Sequence, residues 1–335
     1  MKNIKFLSVL LLAVVLMVGC GNNNENPNSS GNKNSSKNKV TFCLDWTPNV
    51  NHTGVYVAKD LGYYEEAGID VDIIQPADGD VEAIVASGKS DFGVSFQDNI
   101  AQARTNGVNV TSVMAIRQHN GSGIMSRKGD GIDRPKGLEG RTYASWELPI
   151  EQAIIKNIVE TDGGDPSKVI IVPSTVNDEV AALDSKAVDA LWIYYGWGGV
   201  RAEVEGFDFD YFDFISINPV FDFYTPVIIS NDELIKENPE LVNRFVDATL
   251  KGFQYCIDNP KEAADILLKN DPSLDAEFVH AAQEFIGPEF KADAEILGIV
   301  DETRWSRFYE WLNENDLLVK DIDPMEGFTN EFVLE

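Results

Sequence analysis

Only three cysteines and three histidines occur in 335 residues. Cys20, Cys43 and Cys256 are too few for a disulfide scaffold or a paired-cysteine zinc site. His52, His119 and His280 leave little material for a histidine-rich metal centre. Basic residues are scarce as well: 27 Lys and Arg stand against 55 Asp and Glu, a net charge of -28. A surface so acidic repels phosphate backbones and anionic headgroups, which argues against nucleic acid or a membrane-binding face as partner. No GxxxxGK[ST], HExxH or GxSxG motif is present. The cluster Gly121-Ser122-Gly123 lacks the third glycine and the strand-to-helix context of a nucleotide loop. What remains is a chain 44% hydrophobic, rich enough to fold around real cores and long enough for two domains.

The apolar run at 6–18 has Ser8 as its only polar residue and follows Lys2 and Lys5. It is short for a membrane span and right for a signal peptide. It ends in Met17-Val18-Gly19-Cys20, which resembles the lipobox of bacterial lipoproteins, whose cysteine is acylated and becomes the first residue. Residues 1–19 are therefore read as a lipoprotein signal peptide and Cys20 as the lipidation site. An ordinary secretory signal with a cysteine near its end is the alternative. Asn, Ser, Gly and Lys dominate 20–39, the composition of a flexible tether.

Beyond it, apolar periodicity predicts strands at 40–46, 69–74, 91–96 and 110–116, with helices at 55–66, 81–86 and 99–105 between them. A polar, glycine-rich stretch at 119–140 interrupts the pattern. A second series follows: strands at 141–145, 169–172 and 188–193 alternate with helices at 150–160 and 178–183. Residues 226–230 read as a returning strand, and everything after Asn231 as helical. Alternation of this kind predicts an α/β fold with largely parallel sheets. The expected organisation is a first lobe of 40–126 plus 227–335, a second lobe of 127–226 inserted into it, two crossings and a cleft between them. FDFDYFDF at 207–214 has the period of an edge strand, and Trp305, Phe308, Trp311 and Leu312 recur at helical spacing, as core residues do. Cys43 and Cys256 fall inside a strand and a helix, as buried thiols would.

Ligands of open α/β sheets sit beyond the carboxyl ends of strands. That rule selects the loops after Trp46, Ile74, Phe96, Ser145 and Ile193, and the return at 222–225. The first of these reads WTPNVNHTG at 46–54. It resembles the signature of bacterial thiamin-pyrimidine-binding proteins, solute receptors of ABC importers related to the eukaryotic pyrimidine synthases. Val55-Tyr56-Val57-Ala58, Gly62-Tyr63-Tyr64, Phe92-Gly93-Val94-Ser95 and Tyr194-Tyr195-Gly196-Trp197 extend the resemblance over roughly 40–315. It implies a type II periplasmic-binding fold and an aminopyrimidine ligand, no cofactor, an ABC permease as partner, a monomer, and a place outside the cytoplasm.

The residues carry their own chemistry. Trp46, Tyr194, Tyr195 and Trp197, with Phe96 and Phe223, either pack in the cores or face the cleft, where an aromatic from each lobe could sandwich a flat heterocycle. Trp46 and Trp197, in polar or glycine-rich loops, favour the cleft. Asn49, Asn51, His52 and Thr53 supply donors and acceptors before a helix; Asn51 or Thr53 could cap it instead, and His52 could be structural. Gln97, Asp98, Glu147 and Asp222 lie on cleft loops, where a carboxylate can accept from an exocyclic amine; otherwise they are solvated surface. A cleft dominated by aromatics and carboxylates, with few arginines, argues against sulfonate and nitrate, while a riboflavin precursor stays open. The synthases of the family use a cysteine-rich iron motif, which a chain with only Cys43 and Cys256 beyond its tether lacks, so catalysis is not expected.

Acylation of Cys20 is directly testable. Metabolic labelling with a fatty acid should mark the wild type and leave Cys20→Ala unlabelled; equal labelling of both would refute the assignment.

Overall fold

The computed structural model describes residues 37–76, 80–174, 176 and 178–334. Cys20, the signal run and most of the tether lie outside the described residues. No described helix is long and apolar enough to cross a membrane.

Among the described residues, ten strands form two five-stranded sheets. In chain order the strands are β1 (Asn38–Cys43), β2 (Ile69–Ile74), β3 (Phe92–Ser95), β4 (Val110–Ala115) and β5 (Ser122–Arg127). There follow β6 (Thr142–Ser145), β7 (Ile170–Pro173), β8 (Ala190–Tyr194), β9 (Phe209–Asp213) and β10 (Val227–Asn231). The first sheet has the order β2-β1-β3-β10-β4 and the second β7-β6-β8-β5-β9. β1 runs parallel to β2 and β3, and β6 runs parallel to β7 and β8. β10 is antiparallel to β3 and β4, and β5 to β8 and β9. Both lobes thus follow one plan: three parallel strands, then the strand that enters from a crossing, then the strand that leaves by the other.

That plan moves the predicted boundary. β5 pairs with β8 and β9, so the first crossing is at 116–121 and not at 126. Glycines and polar residues in GSGIMSR hid the strand. Gly123 is there for space: a Cβ would stand 2.2 Å from the Phe212 carbonyl and 2.7 Å from the Tyr211 ring. β9 does lie at a sheet edge, as the alternation at 207–214 suggested.

The helix expected at 55–66 divides into Thr53–Asp60 and Tyr63–Glu66, separated by Gly62 at φ 82°. Against them lies the longest of the described helices, Pro239–Asp258, with Pro239 in its first turn and the Asn238 side chain accepting from Leu241 N–H. Its buried face includes Leu241, Phe245, Thr249, Phe253 and Cys256, at the spacing of one helical stripe. Phe245 stacks on Phe92 with ring centroids 3.8 Å apart, fixing the helix to the first sheet. Trp305, Phe308, Trp311 and Leu312 form the buried face of the helix Glu302–Glu314 and belong to the second core cluster. Cys43 and Cys256 are buried free thiols, and burial raises both, Cys43 to about 11.

The helices Thr53–Asp60 and Pro239–Asp258 touch through glycine. A Cβ at Gly252 would stand 2.0 Å from the Gly54 carbonyl oxygen, which is backbone and cannot yield. Gly252→Ala should therefore cost about 1–3 kcal/mol by overpacking. Lys251→Ala, one residue away and exposed, should stay within about 0.5 kcal/mol. Denaturant unfolding of both variants measures the contrast.

Candidate functional site: an aromatic cleft between the lobes

The loop after β1 is a small hydrogen-bonded device. The Asn49 side chain accepts from Asn51 N–H at 2.9 Å and donates to the Thr47 carbonyl at 3.0 Å, capping the short turn Val50–His52. His52 is fully buried, and its Nδ1 accepts from Asn49 N–H at 3.2 Å. With Nδ1 an acceptor, the proton of the neutral ring sits on Nε2, which donates to Asp45 Oδ1 at 2.6 Å. The histidine thus aims the Asp45 carboxylate. Asn51 Oδ1, within this turn, is buried and has no hydrogen-bond partner.

Asp45, Trp46, Asn49 and Asn51 form one wall of a cleft of about 420 Å³, together with Phe96 at the end of β3. The second lobe contributes Trp146 after β6, Trp192 and Tyr194 from β8, and Trp197 in the wide turn Tyr195–Gly199, with Val176 and Glu179 beside them. Arg117 from the first crossing, and Thr225 and Pro226 from the second, line the cleft between the lobes. These are the carboxyl ends of parallel strands and the two crossings, where an α/β sheet presents side chains to a ligand.

Aromatic rings dominate. Trp46 and Trp197 come from opposite lobes, and their centroids are 6.0 Å apart at 73°. Trp197 is held by Phe278 at 4.6 Å, and Trp146 leans on Trp192 at 5.7 Å. Trp46 and Trp146 are each about half exposed, at 51% and 50%, so flat apolar surface stands open to a ligand. Burial raises the Tyr194 hydroxyl above its ordinary value, as does the negative charge of Asp98, so it stays a neutral phenol. Burial also raises Glu179.

Several predicted residues lie elsewhere, each for a visible reason. His52 is a support of Asp45 and does not line the cleft. Thr53 is fully buried in the first turn of its helix, which carries no side-chain cap; Asn49 instead caps the short turn before it. Gln97 is a buried strut: its Oε1 accepts from Tyr224 N–H at 2.9 Å and its Nε2 donates to the Trp305 carbonyl at 2.8 Å. Asp98 sits in the first turn of helix Gln97–Thr105, outside the cleft lining. Glu147 is exposed on a left-handed backbone at φ 60°. Tyr195 donates to Glu203 and packs on Tyr211, with centroids 4.9 Å apart. Asp222 belongs to the crossings, where it accepts from Asn120 N–H, pairs with His119 at 2.8 Å and with Arg304 at 3.2 Å. Burial pushes the Asp222 carboxyl up, but His119 and Arg304 outweigh it and hold it low. Phe223 is core, stacked on Phe308 at 4.2 Å.

Arg117, Asp45, Trp146, Trp192 and Glu179 were not foreseen. Trp146 follows a strand end just as Trp46 does, so the strand-end rule applied to side chains as well as loops would have found it. Arg117 ends the apolar run of β4, a weaker signal. Its presence removes the argument from scarce arginine against an anionic or acceptor-bearing ligand.

Residues 49–263 match the family model described as NMT1/THI5 like. The chain belongs to that family. Among NMT1/THI5-like relatives, the formylaminopyrimidine-binding protein of Halalkalibacterium halodurans is 28% identical, over 98% of this chain and 99% of its own length. A 4-amino-5-hydroxymethyl-2-methylpyrimidine phosphate synthase of Legionella pneumophila is also 28% identical, over 72% of this chain and 76% of its own. In architecture the chain is similar to the periplasmic aliphatic sulphonate binding protein of Escherichia coli, at a TM-score of 0.68. That match covers 90% of this chain and 100% of the other at 13% identity, a likeness of fold. The two-lobe α/β architecture is that of the periplasmic binding proteins.

The same region yields a pH prediction. Burial lifts the Asp98 carboxyl to about 6, against the pull of the helix-start N–H groups. Its folded value lies above the unfolded one, so the protonated form stabilises the fold fully below about pH 4, and that contribution is lost as pH rises through 6. Asp98→Asn should lack the loss, gaining on the wild type by roughly 2–3 kcal/mol between pH 4 and pH 8. Urea denaturation at both pH values would show no such divergence if Asp98 were fully solvated.

Proposed function

We propose that this protein is the solute receptor of an ABC importer, capturing a thiamin-related aminopyrimidine outside the cytoplasm while a lipid on Cys20 holds it at the membrane. One observation carries the reading: a cleft walled by tryptophans of both lobes, with Asn51 Oδ1 buried and unpartnered beside the Asp45 carboxylate. A flat heterocycle can stack on the exposed faces of such rings, each stack contributing about 0.5–1.5 kcal/mol beyond burial. The acceptors suit an exocyclic amine, and a protonated ring nitrogen would strengthen the bond to a carboxylate. Closure of the lobes exchanges cleft water for these contacts, so the ligand stabilises the closed state by its differential affinity for it. The H. halodurans relative, aligned over nearly the whole of both chains, supports both ligand class and role. A monomer that docks on a permease follows from the role.

The synthases in the family set a competing reading. Against it, Cys43 and Cys256 are buried with raised thiols, poorly suited to hold iron or attack a substrate. The receptor reading therefore excludes turnover. Incubation with iron and pyridoxal phosphate should give no pyrimidine; formation of one would replace receptor by enzyme.

Calorimetry with 4-amino-5-hydroxymethyl-2-methylpyrimidine tests the cleft. Trp46→Ala and Trp197→Ala should each weaken binding by about 1–3 kcal/mol. Trp305→Ala should lower stability and leave the affinity of the folded protein unchanged. Wild-type binding by Trp46→Ala would refute the stacking role. Mass spectrometry of ligand retained through mild purification would identify the natural occupant.

A further inference from the structure

The cleft is lined by a cation, Arg117, whose hydrogen-bonding capacity the protein leaves partly unused. Arg117 is 3% exposed, and its Nε is buried without a hydrogen-bond partner. The nearest carboxylate, Glu289, stands 3.9 Å from Nη2, at the outer limit of an ion pair. Burial pulls the guanidinium below its ordinary value, offset in part by Glu289. The surroundings are shaped to keep it there: a Cβ at Gly121 would lie 2.5 Å from Nη2 and 2.9 Å from Nη1. Gly121 has no special backbone angle and is required by the space the guanidinium fills. Trp192 Nε1, also on the cleft, is a second buried donor without a partner.

Unpaired buried donors are costly, and here they border a ligand cavity. Asn51 Oδ1 is the opposite case, an unpaired acceptor on the first lobe. The cleft is therefore bipolar, with acceptors at Asp45 and Asn51 and donors at Arg117 and Trp192. We infer that Arg117 is a specificity-determining residue that receives an oxygen acceptor on the ligand's substituent, so the ligand is an aminopyrimidine bearing a carbonyl or anionic oxygen and not an ammonium. This rests on the aminopyrimidine reading and narrows it. A guanidinium offers parallel N–H donors to such an oxygen and repels an ammonium at the same place.

Four probes sharing one ring separate the claims: 2,5-dimethylpyrimidin-4-amine, and its relatives with a 5-formylaminomethyl, 5-carboxymethyl or 5-aminomethyl group. The wild type should bind the formylaminomethyl and carboxymethyl probes at least about tenfold more tightly than the dimethyl ring, and the aminomethyl probe less tightly than that ring. Arg117→Met should bring all four within about threefold of one another. Arg117→Lys should recover part of the carboxymethyl preference and little of the formylaminomethyl one. Gly121→Ala, which keeps the charge but displaces it, should also compress the ranking, and it decides the matter if Arg117→Met does not fold. Which of the two oxygen probes binds better distinguishes carbonyl from anion. An unchanged ranking in Arg117→Met, or an equal weakening of all four probes, overturns the role of Arg117 and leaves the receptor reading intact. Failure of the wild type to bind any of the four overturns both.

Discussion

A single buried histidine ring organises the mouth of the cleft. His52 accepts from one backbone N–H of its own loop and donates to one carboxylate, which leaves a neutral ring with a single satisfied tautomer. Exchanging the two nitrogens would set a donor against a donor and leave Asp45 facing a lone pair. The loop, the turn at 50–52 and the helix that follows are consequently tied to the end of β1 by hydrogen bonds that cannot be rearranged one at a time. Trp46 and Asn51 take their positions from that frame. The glycine contact between Thr53–Asp60 and Pro239–Asp258 then holds the frame against the first core. Local capping chemistry and long-range packing meet in nine residues, which is why their spacing is so specific.

The cleft joins two kinds of surface that differ in what they lack. Its Trp46 and Trp146 are half exposed, and its polar atoms Asn51 Oδ1, Arg117 Nε and Trp192 Nε1 lack hydrogen bonds. Most buried polar groups in folded proteins are paired, so unpaired ones gathered at one cavity mark where an outside molecule completes the count. Around the crossings a polar network instead joins Asp222, His119, Arg304, Gln118 and Tyr224 across both connections.

Much of this was legible in residue order, for reasons of geometry. Parallel strands alternating with helices force their carboxyl ends to one side, so the loops that could meet were identifiable without knowing how they meet. Which way each side chain turns was not. Gln97 and Asp98 share one helix start, yet Gln97 reaches back to Tyr224 and Trp305, a direction set by a helix two hundred residues away. Glu147 is turned out by one left-handed backbone angle, and Asp222 is drawn to a histidine and an arginine that no local pattern pairs with it. β5 escaped notice because the contacts that make it a strand come from β8 and β9, 64 to 90 residues later, while its own glycines read as loop. The wide turn at Tyr195–Gly199, with its glycines, was recognisable only as a loop.

The strand order has a consequence for how the chain comes together in time. β10 lies between β3 and β4, so the first sheet keeps a gap until residues 227–231 have been made. Every strand of the second sheet falls within 122–213, so that sheet can close while the first, begun earlier, still waits. The half of the molecule that starts first is completed last, through contacts of high sequence separation, which form slowly. Until then β3 and β4 present unpaired edges along apolar strands, the feature that most invites wrong pairing. A chain built this way benefits from being kept unfolded until its whole length is available.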